Sequence, residues 1–163
     1  MEEEKECCPK FNPERWDKKT FNWENKLFVK EDLPVFFHIP SSKAIGQKIP
    51  KMINLATNAN KLDEDKEETL MLFHDFSAFK SEILISVTGN VPEANNVSLS
   101  GTFMSRVYEG EFKAVPKFIK EMNKYLEENG KKAETYYIHY AYCPNCAKKF
   151  GNNYMILFAK IKD

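Results

Sequence analysis

The chain repeats itself at an offset of 66 residues, and this repeat constrains the fold more than any other feature of the sequence. The register runs without a gap from residue 37 to residue 69, where Phe37 matches Phe103. The clearest stretch pairs residues 49–53, Ile-Pro-Lys-Met-Ile, with residues 115–119, Val-Pro-Lys-Phe-Ile. Because self-similarity at a fixed period indicates copies of one structural unit, we expect two copies of the same unit in this chain.

The sequence pattern of each copy predicts one strand, then one helix, then two further strands. Apolar, β-rich runs bounded by turn residues indicate the strands, which are residues 33–39, 69–74, 83–88, 99–109, 135–142 and 154–161. Apolar residues at helical spacing indicate one helix in each copy. We expect the first helix to begin near Gln47 or Lys48, because Pro50 is tolerated only in a first turn. We expect the second to end at Asn129 and Gly130.

The pattern predicts an α+β fold of duplicated β-α-β-β units related by a pseudo-twofold axis. Copy one is residues 33–88, residues 89–98 are a linker, and copy two is residues 99–161. One such unit covers only one face of its small sheet, so we expect antiparallel sheets joined side by side with both helices on one face. The other face becomes a concave cleft, because sheets twist.

Residues 1–32 are predicted to form an arm that packs on a single domain of residues 33–163. Its Trp16 and Trp23 either cover the cleft or pack on the edge of the sheet. An aromatic share of 13% is high, and it is compatible with a Phe-rich core or with an aromatic-lined pocket for an organic ligand.

Charge and composition exclude several classes of protein. The 24 basic and 24 acidic side chains balance and form no basic stripe, so we expect no nucleic-acid binding. No apolar run approaches the roughly 20 residues that span a bilayer, and the start lacks the pattern of a secretory signal. With 6 Gly and no phosphate-binding loop, no nucleotide cofactor is expected. We predict a cytoplasmic monomer or weak homodimer that does not bind membranes.

Four cysteines give the sharpest local signal. Cys143 and Cys146 have the spacing that lets two thiolates bind one metal ion, and Cys7 and Cys8 come near the start of the chain. A structural zinc held by all four would join the arm to the last hairpin. Plain reduced thiols, a redox pair or a disulfide formed on oxidation are the alternatives.

Candidate binding and catalytic residues lie on the first and penultimate strands of the two copies. We expect the cleft to be lined by Phe37, His38, Met104, Tyr108, Tyr137 and Tyr140, although each of these could instead be core. His38 and His139 are each either a general base or a hydrogen-bonded wall residue. Glu109, at the turn before the second helix, either favours the positive end of that helix or activates a water. His74 is expected to be solvated near a hairpin turn.

Several stretches resemble the GyrI-like small-molecule-binding family, and in particular its stand-alone branch of GyrI-like hydrolases. They are Glu6-Cys7-Cys8-Pro9-Lys10-Phe11, Leu33-Pro34-Val35-Phe36-Phe37-His38, Leu99-Ser100-Gly101-Thr102-Phe103, Tyr108-Glu109-Gly110-Glu111-Phe112 and the run from Cys143-Pro144-Asn145-Cys146 to Gly151. The resemblance implies the two-copy fold and a central cleft for flat or cationic organic compounds. It also places Ile138 where many members have a ligand-binding glutamate two residues before a tyrosine.

Three functions follow from the residues and the resemblance together. The first is binding of a planar or hydrophobic small molecule in the cleft. The second is hydrolysis of reactive electrophiles, such as the cyclopropane-bearing toxins that some members hydrolyse, with Glu109 or His139 orienting water. The third is a protein-interaction adaptor that inhibits a topoisomerase.

Overall fold

The computed structural model describes residues 11–36, 39–40, 42–75, 80–142, 151 and 153–162. Within these residues it has seven strands and two α-helices, with short 3₁₀ turns between them. The strands are β1 (Lys19–Phe36), β2 (Ile39–Pro40), β3 (Met71–Asp75), β4 (Lys80–Ser86), β5 (Asn96–Glu109), β6 (Ala133–Tyr140) and β7 (Tyr154–Ile161), and the helices are α1 (Ser42–Asn58) and α2 (Val115–Glu128). Among the described helices, none has the length and apolar character needed to cross a bilayer.

Six of the strands close into an antiparallel barrel in the order β1-β4-β3-β6-β7-β5, because β5 pairs back onto β1. Among the described residues, the short β2 pairs only with the end of β1. The predicted α+β class with antiparallel strands is therefore confirmed. Strand, helix, strand and strand follow one another in that order within each predicted copy, while the duplication and its twofold symmetry stay predictions.

Strand β1 closes the barrel, and it includes much of the predicted arm. Its first part pairs with β5, from Lys19 opposite Ser105, and its second part pairs with β4, as far as Pro34 opposite Lys80. A shift in register between Trp23 and Lys26 bends the strand within the part that pairs with β5, which continues to Val29 opposite Asn96. The strand thus crosses the predicted boundary at residue 32 and joins the arm to the domain.

The first helix is longer than predicted and the second ends where predicted. Helix α1 begins at Ser42 and contains Pro50 in its interior, so the expected start near Gln47 or Lys48 is wrong. A proline inside a helix removes one hydrogen bond and costs about 3 kcal/mol, which the packing of the apolar face of α1 on the sheet offsets. The end of α2 is confirmed, because Gly130 has a φ of 67° and its N–H donates to Glu127 O at 3.0 Å.

Buried apolar residues form one cluster inside the barrel and one under each helix. Met52 and Ala56 of α1 pack on the outer faces of β1 and β4, and Met122 and Leu126 of α2 pack on the outer faces of β5 and β7. Aromatic and aliphatic side chains fill the interior, and the buried members of that cluster are Trp16, Phe28, Leu70, Leu72, Leu84, Phe103, Tyr137, Ile156 and Phe158. The high aromatic content therefore serves mainly as a barrel core.

Candidate functional site

A row of polar side chains crosses four neighbouring strands in the interior of the barrel. It consists of Lys30 on β1, Glu82 on β4, His74 on β3 and Thr135 on β6. Alternate residues of a strand face the same side, and Leu72 and Leu84, two positions from His74 and Glu82, belong to the interior cluster. We call these four residues the polar row.

The polar row is continuous at hydrogen-bond distances. Lys30 Nζ lies 3.2 Å from Glu82 Oε2, and the other oxygen of this carboxylate, Oε1, lies 2.9 Å from His74 Nδ1. His74 Nε2 in turn lies 2.8 Å from Thr135 Oγ1. Register supports this geometry, because His74 and Glu82 stand directly opposite each other on β3 and β4.

The carboxylate fixes the tautomer of the neutral imidazole. A carboxylate only accepts hydrogen bonds, so Nδ1 of His74 must carry the hydrogen that it donates to Glu82. Nε2 then carries the lone pair and accepts the hydrogen of the Thr135 hydroxyl. The polar row can therefore take a proton from a hydroxyl and hold the resulting positive charge beside a carboxylate.

Tyr137 packs against the imidazole of His74. The two rings are stacked with centroids 4.4 Å apart and planes 27° apart. Burial, together with the smaller effect of the negative charges of Glu82 and Glu134, raises the pKa of Tyr137 to about 12. The phenol thus stays protonated at physiological pH and provides a neutral wall for the site.

Burial distinguishes the polar row from a surface ion pair. The side chains of Glu82 and His74 are 8% and 10% exposed, whereas that of Lys30 is 28% exposed. Thr135 is partly exposed. The row therefore runs from a buried carboxylate and imidazole to the partly exposed Thr135 on β6.

The structure places the predicted lining residues on two different faces of the sheet. Tyr137 faces the interior beside His74. Met104, Tyr108 and Tyr140 instead pack in the cluster beneath α2, where Tyr108 stacks on Phe118 at 4.8 Å. Phe37 and His38 lie outside the described residues.

The predicted catalytic residues do not meet in one place. Glu109 is exposed and pairs with Tyr154 at the start of β7, whereas Thr135 pairs with Lys160 near the end of that strand. At about 3.3 Å per residue these positions are roughly 20 Å apart. His139 lies on β6 with Tyr137 and faces the same side by alternation, but its ring bonds to the backbone of β3.

His139 is desolvated and held by one backbone group. Its Nδ1 lies 3.0 Å from the N–H of Met71, whose hydrogen it accepts when the ring is neutral. Burial lowers the pKa of His139 from 6.5 to about 4, and the hydrogen bond that a protonated ring would donate to Met71 O opposes this only in part. The imidazole is therefore neutral throughout the physiological range.

We predict that His139 makes the free energy of unfolding fall as the pH falls from 6.5 towards 4. The unfolded chain, with a pKa near 6.5, binds the proton first, so stability is complete above pH 6.5 and is lost progressively down to about pH 4. The loss is about 3 kcal/mol. Urea unfolding at a series of pH values measures it, and His139→Gln should reduce the slope in this window; an unchanged slope would contradict the assignment.

Sequence reasoning missed most of the polar row. His74 was expected to be solvated, and this is wrong, because the residue is 8% exposed and bonds to Glu82 and Thr135. A signal existed in β4, where Glu82 is a lone charge in the run Ser81-Glu82-Ile83-Leu84-Ile85-Ser86. A charge in a run of buried residues indicates a partner on a neighbouring strand, but the partner itself is fixed only by register.

The segments next to the two cysteine pairs lie side by side. The N–H of Phe11, three residues after Cys8, donates to the hydroxyl of Tyr142 at 2.8 Å, and Tyr142 directly precedes Cys143. The ring of Phe11 also packs on Tyr154 at 5.3 Å. Cys7, Cys8, Cys143 and Cys146 themselves lie outside the described residues.

Two surface depressions lie away from the polar row. One, of about 370 Å³, is lined by Asn60, Leu62, Asp63, Glu64 and Thr88. The other, of about 230 Å³, lies beside the end of α2 and is lined by Asn123, Leu126, Glu127, Lys131, Lys132 and Ala133. Neither includes a residue of the polar row, so these depressions do not extend the candidate site.

Comparisons with known proteins give a family and a fold. A family model described as "Bacterial hydrolase" matches residues 1–161, and no curated protein matches the chain. Among solved structures, the EcmrR C-terminal domain is 12% identical with a TM-score of 0.64, covering 91% of this chain and 98% of its own. A hydrolase from Listeria innocua is 12% identical with a TM-score of 0.61, covering 90% and 92%.

A third solved structure contains a ligand. SAV2435 bound to tetraphenylphosphonium is 14% identical with a TM-score of 0.54, covering 90% of this chain and 94% of its own. At these identities the three structures establish a shared fold. That fold is consistent with small-molecule binding in general.

Proposed function

The chain belongs to the bacterial hydrolase family, and on that premise we propose that it binds a small organic molecule at the end of the barrel where the polar row meets Tyr137. The observation that carries the proposal is the desolvated Glu82 held between Lys30 and His74. Glutamate side chains are rarely buried in a protein interior, so this one calls for a specific reason. The proposed ligand contacts the partly exposed end of the row, at Thr135, and the neighbouring aromatic wall.

The energetic cost of the polar row supports a functional role. Burying a carboxylate and its partners costs several kcal/mol of desolvation, which their mutual attraction repays only when the geometry is good. Well-packed apolar side chains of the same volume are often as stable or more stable. A barrel that is otherwise filled by Phe, Leu and Ile therefore has little structural need for this row.

The fold supports the class of ligand. This chain shares its fold with SAV2435, whose solved structure holds tetraphenylphosphonium, a bulky aromatic cation. In the present chain Lys30 neutralises Glu82, so a cation gains less here from the carboxylate. We therefore propose a planar or hydrophobic ligand without a strong requirement for positive charge.

Two ions of the same shape and opposite charge test this proposal. Tetraphenylphosphonium and tetraphenylborate should each bind saturably, as measured by the fluorescence of Trp16 and Trp23. Lys30→Met removes a positive charge and should tighten binding of the cation roughly tenfold, whereas Glu82→Gln should favour the anion by a similar factor. Lys51→Met is the matched control, because Lys51 is 65% exposed on α1 and lies outside the row.

The proposal is wrong if neither ion binds saturably. It is also wrong if Lys30→Met and Lys51→Met have the same effect on binding. Unfolding curves of each variant provide the check that the fold is intact. If Lys30→Met and Glu82→Gln each lower the affinity for the cation and the anion equally, the ions bind elsewhere on the surface.

We also propose that Cys7, Cys8, Cys143 and Cys146 bind one structural zinc ion. The proposal is supported by the contact of Phe11 with Tyr142, since these residues flank the two cysteine pairs. Four thiolates with a Cys-x-x-Cys pair are a typical donor set for a closed zinc site. The site would be structural, because it leaves no open coordination position.

Freshly purified, reduced protein should contain about one zinc per chain, and Cys146→Ser should lose most of it. Elemental analysis measures the content, and thermal unfolding with and without a chelator measures the stabilisation. We expect the melting temperature to fall on chelation, because metal affinity is coupled to folding. Zinc near zero in the reduced wild-type protein would exclude the site.

A further inference from the structure

We infer that Thr135, His74 and Glu82 form a hydroxyl–imidazole–carboxylate relay in which Thr135 accepts the acyl group of a small carboxylic ester. This inference rests on the proposed function, because it places the reaction at the proposed binding site. The three residues come from β6, β3 and β4 and are joined at 2.8 Å and 2.9 Å. A nucleophile, a base and a group that orients the base are the parts that such chemistry requires.

The direction of the hydrogen bonds is the one that activates a nucleophile. Glu82 fixes the hydrogen of His74 on Nδ1, so the lone pair of Nε2 faces the Thr135 hydroxyl. As the hydroxyl oxygen attacks, its proton moves to Nε2, and the imidazolium that forms lies beside the carboxylate. A threonine without this base would be a weak nucleophile.

The reaction balances without a cofactor. Thr135 Oγ1 forms a bond to the ester carbonyl carbon, its proton passes to His74 Nε2, and the resulting tetrahedral intermediate breaks the bond to the alkoxy oxygen. The leaving alkoxide takes the proton from His74 and departs as an alcohol. Water then loses a proton to His74 and attacks the acyl-threonine, and the acid leaves as the proton returns to Thr135.

Two neighbours hold the imidazole in place. Lys30 binds the second oxygen of Glu82 at 3.2 Å, so the carboxylate keeps one orientation. The Tyr137 ring, stacked on His74 at 4.4 Å, restricts rotation of the imidazole. Lys30, Glu82 and Tyr137 are therefore positioning residues, whereas Thr135 and His74 contact the reacting atoms.

Charge and burial define the class of substrate. Lys30 compensates the carboxylate of Glu82, so the site presents no net charge from this pair. Thr135, which carries the reacting hydroxyl, is partly exposed, whereas the carboxylate and the imidazole are buried. Side chains fill the interior next to this end of the row, which favours a small acyl group, and we assign a small neutral ester as the substrate class.

The test uses p-nitrophenyl acetate with the full chain. The wild-type protein should release p-nitrophenolate in a burst, and mass spectrometry of the digested protein should find the acetyl group on the peptide that contains Thr135. Thr135→Val keeps the side-chain volume but removes the hydroxyl, so it should lower the burst rate at least ~100-fold. Thr135→Ser restores a hydroxyl and should stay within about tenfold of the wild type.

A matched control lies on β5, which β7 separates from β6. Thr102 on β5 donates to Asn22 at 3.0 Å in an exposed pair, so Thr102→Val makes the same chemical change outside the relay and should leave the burst unchanged. His74→Gln should lower the rate as much as Thr135→Val. Equal rates for Thr135→Val and Thr102→Val, or acetylation only of lysines, would overturn the inference.

Binding of the two tetraphenyl ions separates failure of this inference from failure of the proposed function. If the wild-type protein binds the ions but gives no burst, the relay is wrong and the binding site stands. If neither binding nor a burst is found, the proposed function fails as well. Saturable binding by the wild-type protein together with a burst that Thr135→Val loses and Thr102→Val keeps supports both.

Discussion

Phe158→Ala should lower the free energy of unfolding by about 3–5 kcal/mol, which is the usual cost of removing a buried aromatic ring from a close-packed core. Phe158 is fully buried on β7 and has aromatic neighbours on several sides. Its ring lies 5.6 Å from that of Trp23 and 6.0 Å from that of Phe21. Because these neighbours belong to β1, the substitution weakens the contact of the arm with the barrel.

Phe36→Ala is the matched control for this prediction, since Phe36 is 68% exposed at the end of β1. It should cost less than about 1 kcal/mol. Chemical denaturation followed by circular dichroism measures both variants. If the two lose similar stability, the interior of the barrel is not the main core of this protein.

Glu82→Met should lower the free energy of unfolding by about 3–5 kcal/mol, although methionine is apolar and similar in size. Removing one partner of a buried ion pair leaves the charge of the other partner buried without a counter-charge. Lys30 would lose the carboxylate at 3.2 Å, and Nδ1 of His74 would lose its acceptor at 2.9 Å. The effect therefore comes from unpaired polar groups and not from a cavity.

Replacing both partners distinguishes this explanation from poor packing. Lys30→Met combined with Glu82→Met should recover at least half of the stability that Glu82→Met loses, because the lysine no longer lacks a counter-charge. Lys51→Met combined with Glu82→Met should recover none, since Lys51 pairs with Glu31. A double variant at Lys30 that is as unstable as the single one would refute the ion-pair explanation.

Local patterns in the sequence predicted the regular elements well. Strand β7 has the predicted bounds, Tyr154–Ile161, and α2 ends at the predicted Asn129 and Gly130. In both cases the signal is local, from an apolar run between turn residues or from a glycine at a helix end. Helix α1 was predicted too short, because the proline rule is local while the packing that overrides it is tertiary.

Local sequence patterns could predict neither the closure of the sheet into a barrel nor the polar row. Closure depends on β1 pairing with two strands, and the charged residues of its first part give no sign of a partner. The polar row depends on register between β3, β4 and β6, and a shift of one residue would turn His74 to the other face. Tyr137 was identified as a candidate, but its neighbours in space are far away in the chain.

The pairing of β1 with β5 has a consequence for the folding of the protein. Asn22 and Thr102, which form a hydrogen bond between these two strands, are 80 positions apart in the sequence. The amino-terminal part of β1 therefore cannot pair with β5 until most of the chain has been synthesised. Long-range pairing of this kind slows folding to the range of milliseconds to seconds. During synthesis the aromatic side chains of residues 21–28 stay uncovered until β5 emerges, and this interval is the stage at which the nascent protein is most prone to aggregate.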